Sequence, residues 1–204
     1  MIYMFKDATA FNGNISSWNT AAVLSFWNMF GGAIVFNQDI SNWNTSAAVS
    51  MNYMFYDAED FDKNISSWNT SSVTKMDHMF KYAEAFNQDI SSWDTAAVTT
   101  MEEMFNGAAA FNQPLTHNGN SWNLANVTNM ANMFNGATSF TTNNYDIFLY
   151  SQANNSGTNS NITITVSSNY SDATSRATLT SAPKSWNITD LGNTASVAPT
   201  FTRT

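Results

Sequence analysis

The sequence predicts an α/β fold in which a 25-residue unit is stacked on copies of itself as a β/α solenoid. The stretch "FNQDISSWDTAAVTTMEEMF" at residues 86 to 105 recurs with small changes from residues 11, 36 and 61, and in a longer form from residue 111. The composition, with 43% hydrophobic and 14% aromatic residues, is sufficient for a buried core. A fixed period in this range indicates one supersecondary unit per repeat, packed against its neighbours.

Apolar residues keep the same period and are predicted to form columns inside the stack. The strictest is the Met-Phe pair, which follows a period of 25 until a four-residue insertion delays its last copy. The recurring positions are Met4-Phe5, Met29-Phe30, Met54-Phe55, Met79-Phe80, Met104-Phe105 and Met133-Phe134; Phe11, Phe36, Phe61, Phe86, Phe111 and Phe140; Ile15, Ile40, Ile65, Ile90 and Leu115; and Trp18, Trp43, Trp68, Trp93 and Trp122.

One short strand and one short helix are predicted in each repeat. The segment "DISSW" at 89 to 93 is rich in Ile, Ser and Trp and lies between two turn signals, which favours a strand. Met101, Met104, Phe105 and Ala108 have the i, i+3, i+4, i+7 spacing of one helix face, and Thr99 with Glu102 fits a capping box.

The repeat resembles that of the BspA-like leucine-rich-repeat surface proteins, whose units read like "FNQDISxWDTSxVTxMxxMF". The resemblance covers residues 1 to about 140 and implies a right-handed, leucine-rich-repeat-like solenoid of five to six coils, the first of them truncated. The segments at 144 to 152 and 170 to 192 look like the module that closes such arrays. This implies a small α+β cap over 141–192, with a helix around Ala173 to Leu179 and a strand at Trp186 to Thr189.

The remaining C-terminal segments are interpreted from composition. The stretch "NITITV" within 161 to 166 predicts a short strand, and the polar residues 151–160 predict an exposed loop. Residues 193–204, which follow the cap, are predicted to be a tail or a linker.

Composition also argues against several classes of function. Only 7 Lys and Arg are scattered through a chain of net charge −8, which is unsuited to nucleic acid. The sequence contains no apolar run of about 18 residues, so no membrane insertion is expected. There is no cysteine and no start typical of a signal peptide.

No catalytic, metal or cofactor site is predicted. Asp39 and Asp89 share a column but lie two repeats apart, and turn formation explains them better than catalysis. The only histidines, His78 and His117, occupy different repeat positions. Another column is interpreted as a structural ladder rather than a ligand site, with each amide bonding the backbone of the adjacent turn; its members are Asn12, Asn37, Asn87 and Asn112, with Asp62 replacing one rung.

Two sets of residues are candidates for partner contact and for assembly. The insertion His117, Asn118, Gly119 and Asn120, together with Trp27 outside the tryptophan column, is the candidate contact. Because the chain starts in mid-repeat, Met1, Met4, Phe5 and Phe11 are expected to form an open edge through which the protein self-associates.

Two functions from different classes therefore remain. The family resemblance implies a non-enzymatic repeat protein on an extracellular, cell or virion surface, which acts in adhesion or binds a protein or glycan on a host or neighbouring cell. The alternative is a structural subunit of an extracellular fibre or virion that assembles through the ends of the stack.

Overall fold

Backbone hydrogen bonds join each repeat to the next in the computed structural model, which describes residues 1–117, 120–155 and 158–192. Around each Met-Phe pair, alternate N–H groups donate to carbonyl oxygens one repeat further along the chain. In the second repeat the donors are Phe26, Asn28, Phe30 and Gly32, and their acceptors are Ser50, Asn52, Met54 and Tyr56, at 2.7–3.1 Å. The same set of bonds recurs through residue 135, so the repeats lie on one another.

The predicted helix in each repeat is wrong, because this segment forms consecutive tight turns. Met104 N–H donates to Met101 and Ala108 N–H donates to Phe105, both three residues back. Glu103 lies between these turns with a φ of 51°, in the left-handed region. The turns place the same residues inside as a helix would, but leave alternate N–H groups free to bond the next repeat. The predicted capping box is also absent, since the N–H and hydroxyl of Thr99 both donate to Thr74.

The strand predicted at 89 to 93 is wrong as well, because this segment is another turn. Trp93 N–H donates to Ile90 three residues earlier, and the Asp89 carboxylate accepts from Ser91 N–H at 2.9 Å. Asp39 accepts from Ser41 in the same way, and this backbone hydrogen bond lowers the pKa of the Asp39 carboxyl. The turn-forming role predicted for these aspartates is confirmed.

The mixed α/β class is confirmed by elements at the end of the repeats and after them. In the described residues these are β1 (Thr116–His117), β2 (Asn120–Ser121), β3 (Met130–Phe134), α1 (Thr142–Ala153), β4 (Thr163–Val166), α2 (Ala173–Thr180) and β5 (Asn187–Thr189). Strands β1 and β2 form an antiparallel hairpin. Strands β3, β4 and β5 form a parallel sheet in that order, so the C-terminal residues extend the last repeat.

Several C-terminal predictions are therefore confirmed. The strand in "NITITV" is β4, the helix around Ala173 to Leu179 is α2, and the strand at Trp186 to Thr189 is β5. The loop predicted from residue 151 is wrong at its start, because α1 continues to Ala153. The predicted tail or linker at 193–204 lies outside the described residues.

A partly buried ion pair connects the two helices to the segment after β5. The Asp190 carboxylate accepts from the Tyr145 hydroxyl of α1 at 3.0 Å and from Arg176 Nε of α2 at 2.8 Å. Burial, together with the neighbouring Asp190 charge, raises the pKa of Tyr145 well above its usual range, so the hydroxyl stays protonated and donates. These contacts hold the C-terminal elements against one another.

The predicted apolar columns form the core. Phenylalanine rings of the Met-Phe pairs stack from Phe5 to Phe134 with centroids 5.6–5.7 Å apart. Trp43, Trp68, Trp93 and Trp122 are buried, and each donates its indole N–H to a main-chain carbonyl of the preceding repeat at 3.1–3.3 Å. Each tryptophan thus provides both apolar area and a hydrogen bond between repeats.

Trp68→Ala should cost on the order of 3–5 kcal/mol of unfolding free energy, because it leaves a cavity and removes the hydrogen bond to Ile40. Trp27→Ala is the matched control and should cost under about 1 kcal/mol, because Trp27 lies outside the column. Urea denaturation followed by circular dichroism measures both. Equal losses would contradict a core organised by the tryptophan column.

Candidate functional site

One side of the stack carries side chains that differ from repeat to repeat, and we call it the variable face. It consists of residues 2, 3, 6 and 7 of the first repeat and the equivalent positions of the later ones. In the third repeat, Met51, Met54 and Phe55 are buried, whereas Tyr53 and Tyr56 remain partly exposed. The alternation follows from the tight turns, which direct the Met and Phe side chains inward.

Aromatic side chains are concentrated on the variable face. The rings of Tyr3 and Trp27 lie 4.9 Å apart between centroids. The rings of Tyr56 and Tyr82 meet edge to face at 6.0 Å. Trp27, Tyr3 and Tyr82 are 37%, 43% and 40% exposed. Rings that are partly exposed and also packed against one another are well suited to contact a partner at a low entropic cost.

A glycine creates the space that Tyr82 occupies. Gly107 has a φ of +74°, and a Cβ placed there would lie 2.3 Å from Cδ1 of Tyr82. The equivalent residue one repeat earlier is Tyr82 itself, with a φ of 60°. The left-handed backbone is therefore common to both repeats, but only a residue without a side chain leaves room for the ring.

A charged cluster lies beside these rings on the fourth and fifth repeats. Lys81 forms a hydrogen-bonded ion pair with Glu103, and the same carboxylate lies 3.1 Å from Nε2 of His78. The His78 ring stacks on Tyr53 with centroids 4.3 Å apart, and its Nδ1 is 3.7 Å from Asp77. The Lys81 ammonium lies 5.1 Å from the centre of the Tyr82 ring. The cluster thus places charged side chains directly beside the aromatic rings of the variable face.

The pKa of the Glu103 carboxyl is the outcome of opposing effects. Partial burial raises it, but the hydrogen bond and charge of Lys81, assisted by His78 and Asn132, outweigh the burial and hold the pKa below its ordinary value. Burial lowers the pKa of Lys81, but the hydrogen bond and charge of Glu103 raise it by more, so the pKa of Lys81 lies above its ordinary value. The pair is therefore ionised at neutral pH.

The predicted asparagine ladder is confirmed and is structural. The side-chain oxygens of Asn12, Asn37, Asp62, Asn87 and Asn112 each accept a backbone N–H from the next repeat at 2.9–3.1 Å. A second ladder was not predicted: Thr20, Thr45, Thr70 and Thr95 donate their hydroxyls to carbonyls one repeat further on. The sequence signal for this second ladder was a Thr two residues after the Trp in each of these repeats.

The structure places the predicted contact residues on separate repeats. Trp27 is part of the variable face of the second repeat, while His117 and Asn120 pair in the β1–β2 hairpin of the fifth. Asn118 and Gly119 lie outside the described residues. Leu115 and Trp122 on either side of the hairpin are buried, so the insertion is accommodated without disturbing the apolar columns.

The residues of the predicted assembly edge are more exposed than their equivalents in later repeats. Met4 is 50% exposed, whereas Met29 and Met54 are fully buried. Phe5 and Phe11 are partly buried and pack against the core. The first repeat does take part in the backbone ladder, since Tyr3 and Phe5 donate to Trp27 and Met29.

The part of the chain that the structure describes contains no candidate metal site. No group of three or more His, Asp or Glu side chains in these residues is arranged to hold a metal ion.

A shallow groove borders Lys184. The Lys184 ammonium donates to the carbonyls of Gln152 and Asn155, and burial lowers the pKa of Lys184. Within the described residues, neither helix has the length and apolar character required to cross a membrane.

Comparison with known proteins identifies one family. Residues 1–74 and 61–173 match the family described as "Mycoplasma protein of unknown function, DUF285". The two overlapping matches together span the repeats and continue into the C-terminal elements up to the start of α2. No curated protein and no solved structure matches the chain.

Acidification should selectively weaken the cluster around Glu103. A carboxyl whose pKa is lowered by folding contributes stability above its unfolded pKa, about 4.3, and loses that contribution as the pH falls through the folded value. Glu103→Gln should therefore destabilise the protein at pH 7, and the difference from wild type should shrink towards pH 2.5.

The measurement is urea denaturation at a series of pH values. Glu84→Gln serves as the control, because Glu84 is exposed and makes no ion pair in the described structure. A difference between wild type and Glu103→Gln that is independent of pH would contradict the ionised pair.

Proposed function

The chain belongs to the DUF285 family, and from this premise we propose that it is a non-enzymatic repeat protein that binds a protein or glycan at a cell surface. The variable face is the observation that carries the proposal. Its partly exposed rings and adjacent charges occupy one side of the stacked repeats, beside columns of core residues and of Asn and Thr side chains that bond to the backbone of the neighbouring repeat.

We infer further that the stacked repeats form a right-handed solenoid of the BspA-like leucine-rich-repeat kind. Recurrent backbone bonds between adjacent repeats and continuous ring columns support this inference. A solenoid is suited to binding because it presents a long surface on which each repeat contributes a few side chains. Here the main chain and the Asn, Thr and Trp ladders join adjacent repeats, and the aromatic residues of the variable face lie outside these ladders, so they are available for recognition.

The chemistry of the surface favours a macromolecular partner over a substrate. Tyr, Trp and His rings next to Lys81 and Glu103 can make apolar, hydrogen-bonding and ionic contacts with a protein, or can bind the hydroxyls and apolar faces of a glycan. A net charge of −8 disfavours nucleic acid. An extracellular or cell-surface location is part of the proposal, since such a partner would be displayed there.

The second candidate is a structural subunit of a fibre or virion that assembles through the ends of the stack. The exposed side chain of Met4 on the first repeat, whose equivalents Met29 and Met54 are buried, favours it. Light scattering after size exclusion separates the two candidates. A binding module remains a monomer of about 22.5 kDa, while a subunit of this kind forms species that grow with concentration.

A partner should be found by screening the purified chain against glycans and extracellular matrix proteins, and it should bind through the variable face. The combined variant Tyr3→Ala, Trp27→Ala and Tyr82→Ala should weaken binding at least about tenfold, because it removes aromatic contacts of the kind that dominate interfaces. The matched control is Leu24→Ala with Val49→Ala, which truncates exposed apolar residues outside the face. Equal binding by both variants would overturn the assignment of the face.

The β1–β2 hairpin is tested separately by deleting residues 117–120. The deletion restores the spacing of the other repeats, in which Trp93 N–H closes a turn onto Ile90, so the thermal transition should move by only a few degrees. Partner binding should change if the hairpin contacts the partner. Unchanged binding would remove the hairpin from the proposed contact surface.

A further inference from the structure

Carboxylates are concentrated beside the tyrosine rings of the variable face on the third and fourth repeats. They follow the rings along the chain and form what we call the acidic border, which consists of Asp57, Glu59, Asp60 and Glu84. All four side chains are at least partly exposed, and within the described residues none of them forms an ion pair or a hydrogen bond. The second and fifth repeats carry no carboxylate at the equivalent positions, so the border is confined to one part of the stack.

The border places like charges in neighbouring repeats. Glu59 and Glu84 are equivalent residues of the third and fourth repeats, and Ala85 N–H donates to the Glu59 carbonyl at 2.9 Å. Equivalent residues of paired segments are about 5 Å apart, so these carboxylates repel one another. Lys63 and Lys75, the nearby lysines of these repeats, pair with none of the border carboxylates in the described structure. The border therefore contributes repulsion rather than stability to the stack by itself.

Negative charge is also present on the opposite side of the same rings. Asp77 and Glu102 lie one residue before the column that contains the Tyr53 ring. Partial burial raises the pKa of the Tyr53 hydroxyl, and the charges of Asp77, Glu102 and Glu103 raise it further against the opposing effect of Lys81. Lys81 is itself paired with Glu103. The rings thus lie in a field that favours positive charge.

The protein holds two of its own cations with a combination of ring and carboxylate. The Lys81 ammonium, in the ion pair described above, lies 5.1 Å from the centre of the Tyr82 ring. Arg176 lies 4.8 Å from the centre of the Tyr170 ring and bonds to Asp190 at 2.8 Å. A ring beside a carboxylate attracts a cation through the ring quadrupole and through the carboxylate charge. The acidic border and the rings beside it offer the same combination to a cation from a partner.

We propose that the variable face of the third to fifth repeats binds a positively charged segment of a partner protein, rich in Lys and Arg. The inference rests on the proposed function, because it names the partner of the same face. Charge complementarity selects this occupant, since the border carboxylates pair with Lys and Arg while the tyrosine rings pack against guanidinium planes and aliphatic stems.

Other occupants fit the border less well. A neutral glycan would cover the rings but would leave the carboxylates without partners, and an anionic glycan would be repelled. A metal ion is not suited to this surface, because no group of three or more His, Asp or Glu side chains in the described residues is arranged to hold one. The cations of a basic segment are spaced along a chain, as the border carboxylates are spaced over two repeats.

The probe is a labelled twelve-residue peptide with arginine at alternate positions and serine or glycine between them. Fluorescence anisotropy with the full chain should show binding at low ionic strength, and the affinity should fall as salt is added, because the contacts are between charges. A peptide of the same length with glutamate in place of arginine should not bind. No binding of the arginine peptide, or equal binding of the two peptides, would overturn the proposal.

Two double variants separate the border from the overall charge of the protein. Glu59→Gln with Glu84→Gln should weaken binding of the arginine peptide at least about threefold. Its thermal transition should not fall, because the change removes like-charge repulsion. Asp89→Asn with Asp94→Asn removes the same charge at turns outside the variable face, where other repeats already carry Asn, and should leave binding close to wild type. Equal weakening by the two variants would assign the binding to net charge and contradict the proposal.

A third variant tests the rings at constant charge. Tyr82→Gly introduces the residue that the second and fifth repeats carry at this left-handed position, so the backbone should be retained. It should weaken binding of the arginine peptide at least about threefold, because the aromatic face is lost. Tyr150→Ala, which truncates an exposed tyrosine of α1, is the control and should not weaken it. Wild-type affinity in Tyr82→Gly would show that the rings take no part and would sink the proposal.

Failure of this inference is distinguishable from failure of the proposed function. A partner from the screen could lose affinity for the combined aromatic variant but bind Glu59→Gln with Glu84→Gln as it binds wild type. That result would uphold the variable face as a binding surface and overturn its preference for a cationic segment. A partner that is weakened by both sets of changes and displaced by the arginine peptide would support both proposals.

Discussion

The organisation of the repeats depends on a single backbone arrangement. Alternate peptide groups beside the Met-Phe pairs point along the stack, with each N–H directed to the following repeat and each carbonyl to the preceding one. The peptides between them close tight turns within the repeat, as Met54 N–H does onto Met51. Left-handed residues such as Tyr53 and His78 make this alternation possible. Because the bonds are made by the main chain, the side chains around them can vary at little cost to the stack.

The same arrangement explains which parts of the fold could be predicted from the sequence. Period and burial depend on side chains, so the apolar columns, the asparagine ladder and the replacement of one rung by Asp62 were all predictable. The spacing of Met101, Met104, Phe105 and Ala108 fits one face of a helix, but consecutive turns bury the same residues. Apolar spacing therefore could not distinguish the two backbones. The predicted helix was wrong for this reason. The strand at "DISSW" was predicted from residue composition, which did not reveal that Asp89 and Trp93 close a turn there.

The information that could have corrected this lay in the residues at the left-handed positions. Gly32, Gly107 and Gly136 recur where other repeats carry Asp7, Asp57 and Tyr82, and glycine and aspartate are typical of turns with positive φ. Trp27 was identified because it lies outside the tryptophan column. Its neighbours on the variable face, Tyr53, His78, Tyr82 and Glu103, were missed, since a helical reading does not reveal that they are adjacent across repeats. The contacts of His78 with Tyr53 and Glu103, and of Tyr82 with Tyr56, are made between repeats.

The polarity of the ladder also determines how the two ends of the stack differ. In the described residues, the end near β3 meets β4, which continues the sheet and bonds the last repeat. The first repeat presents carbonyls beside half-buried rings and has no comparable cover in those residues. Burying the rings alone would leave these carbonyls without hydrogen bonds, which costs free energy comparable to the gain. The two ends of the described repeats therefore differ in backbone hydrogen bonding as well as in apolar exposure.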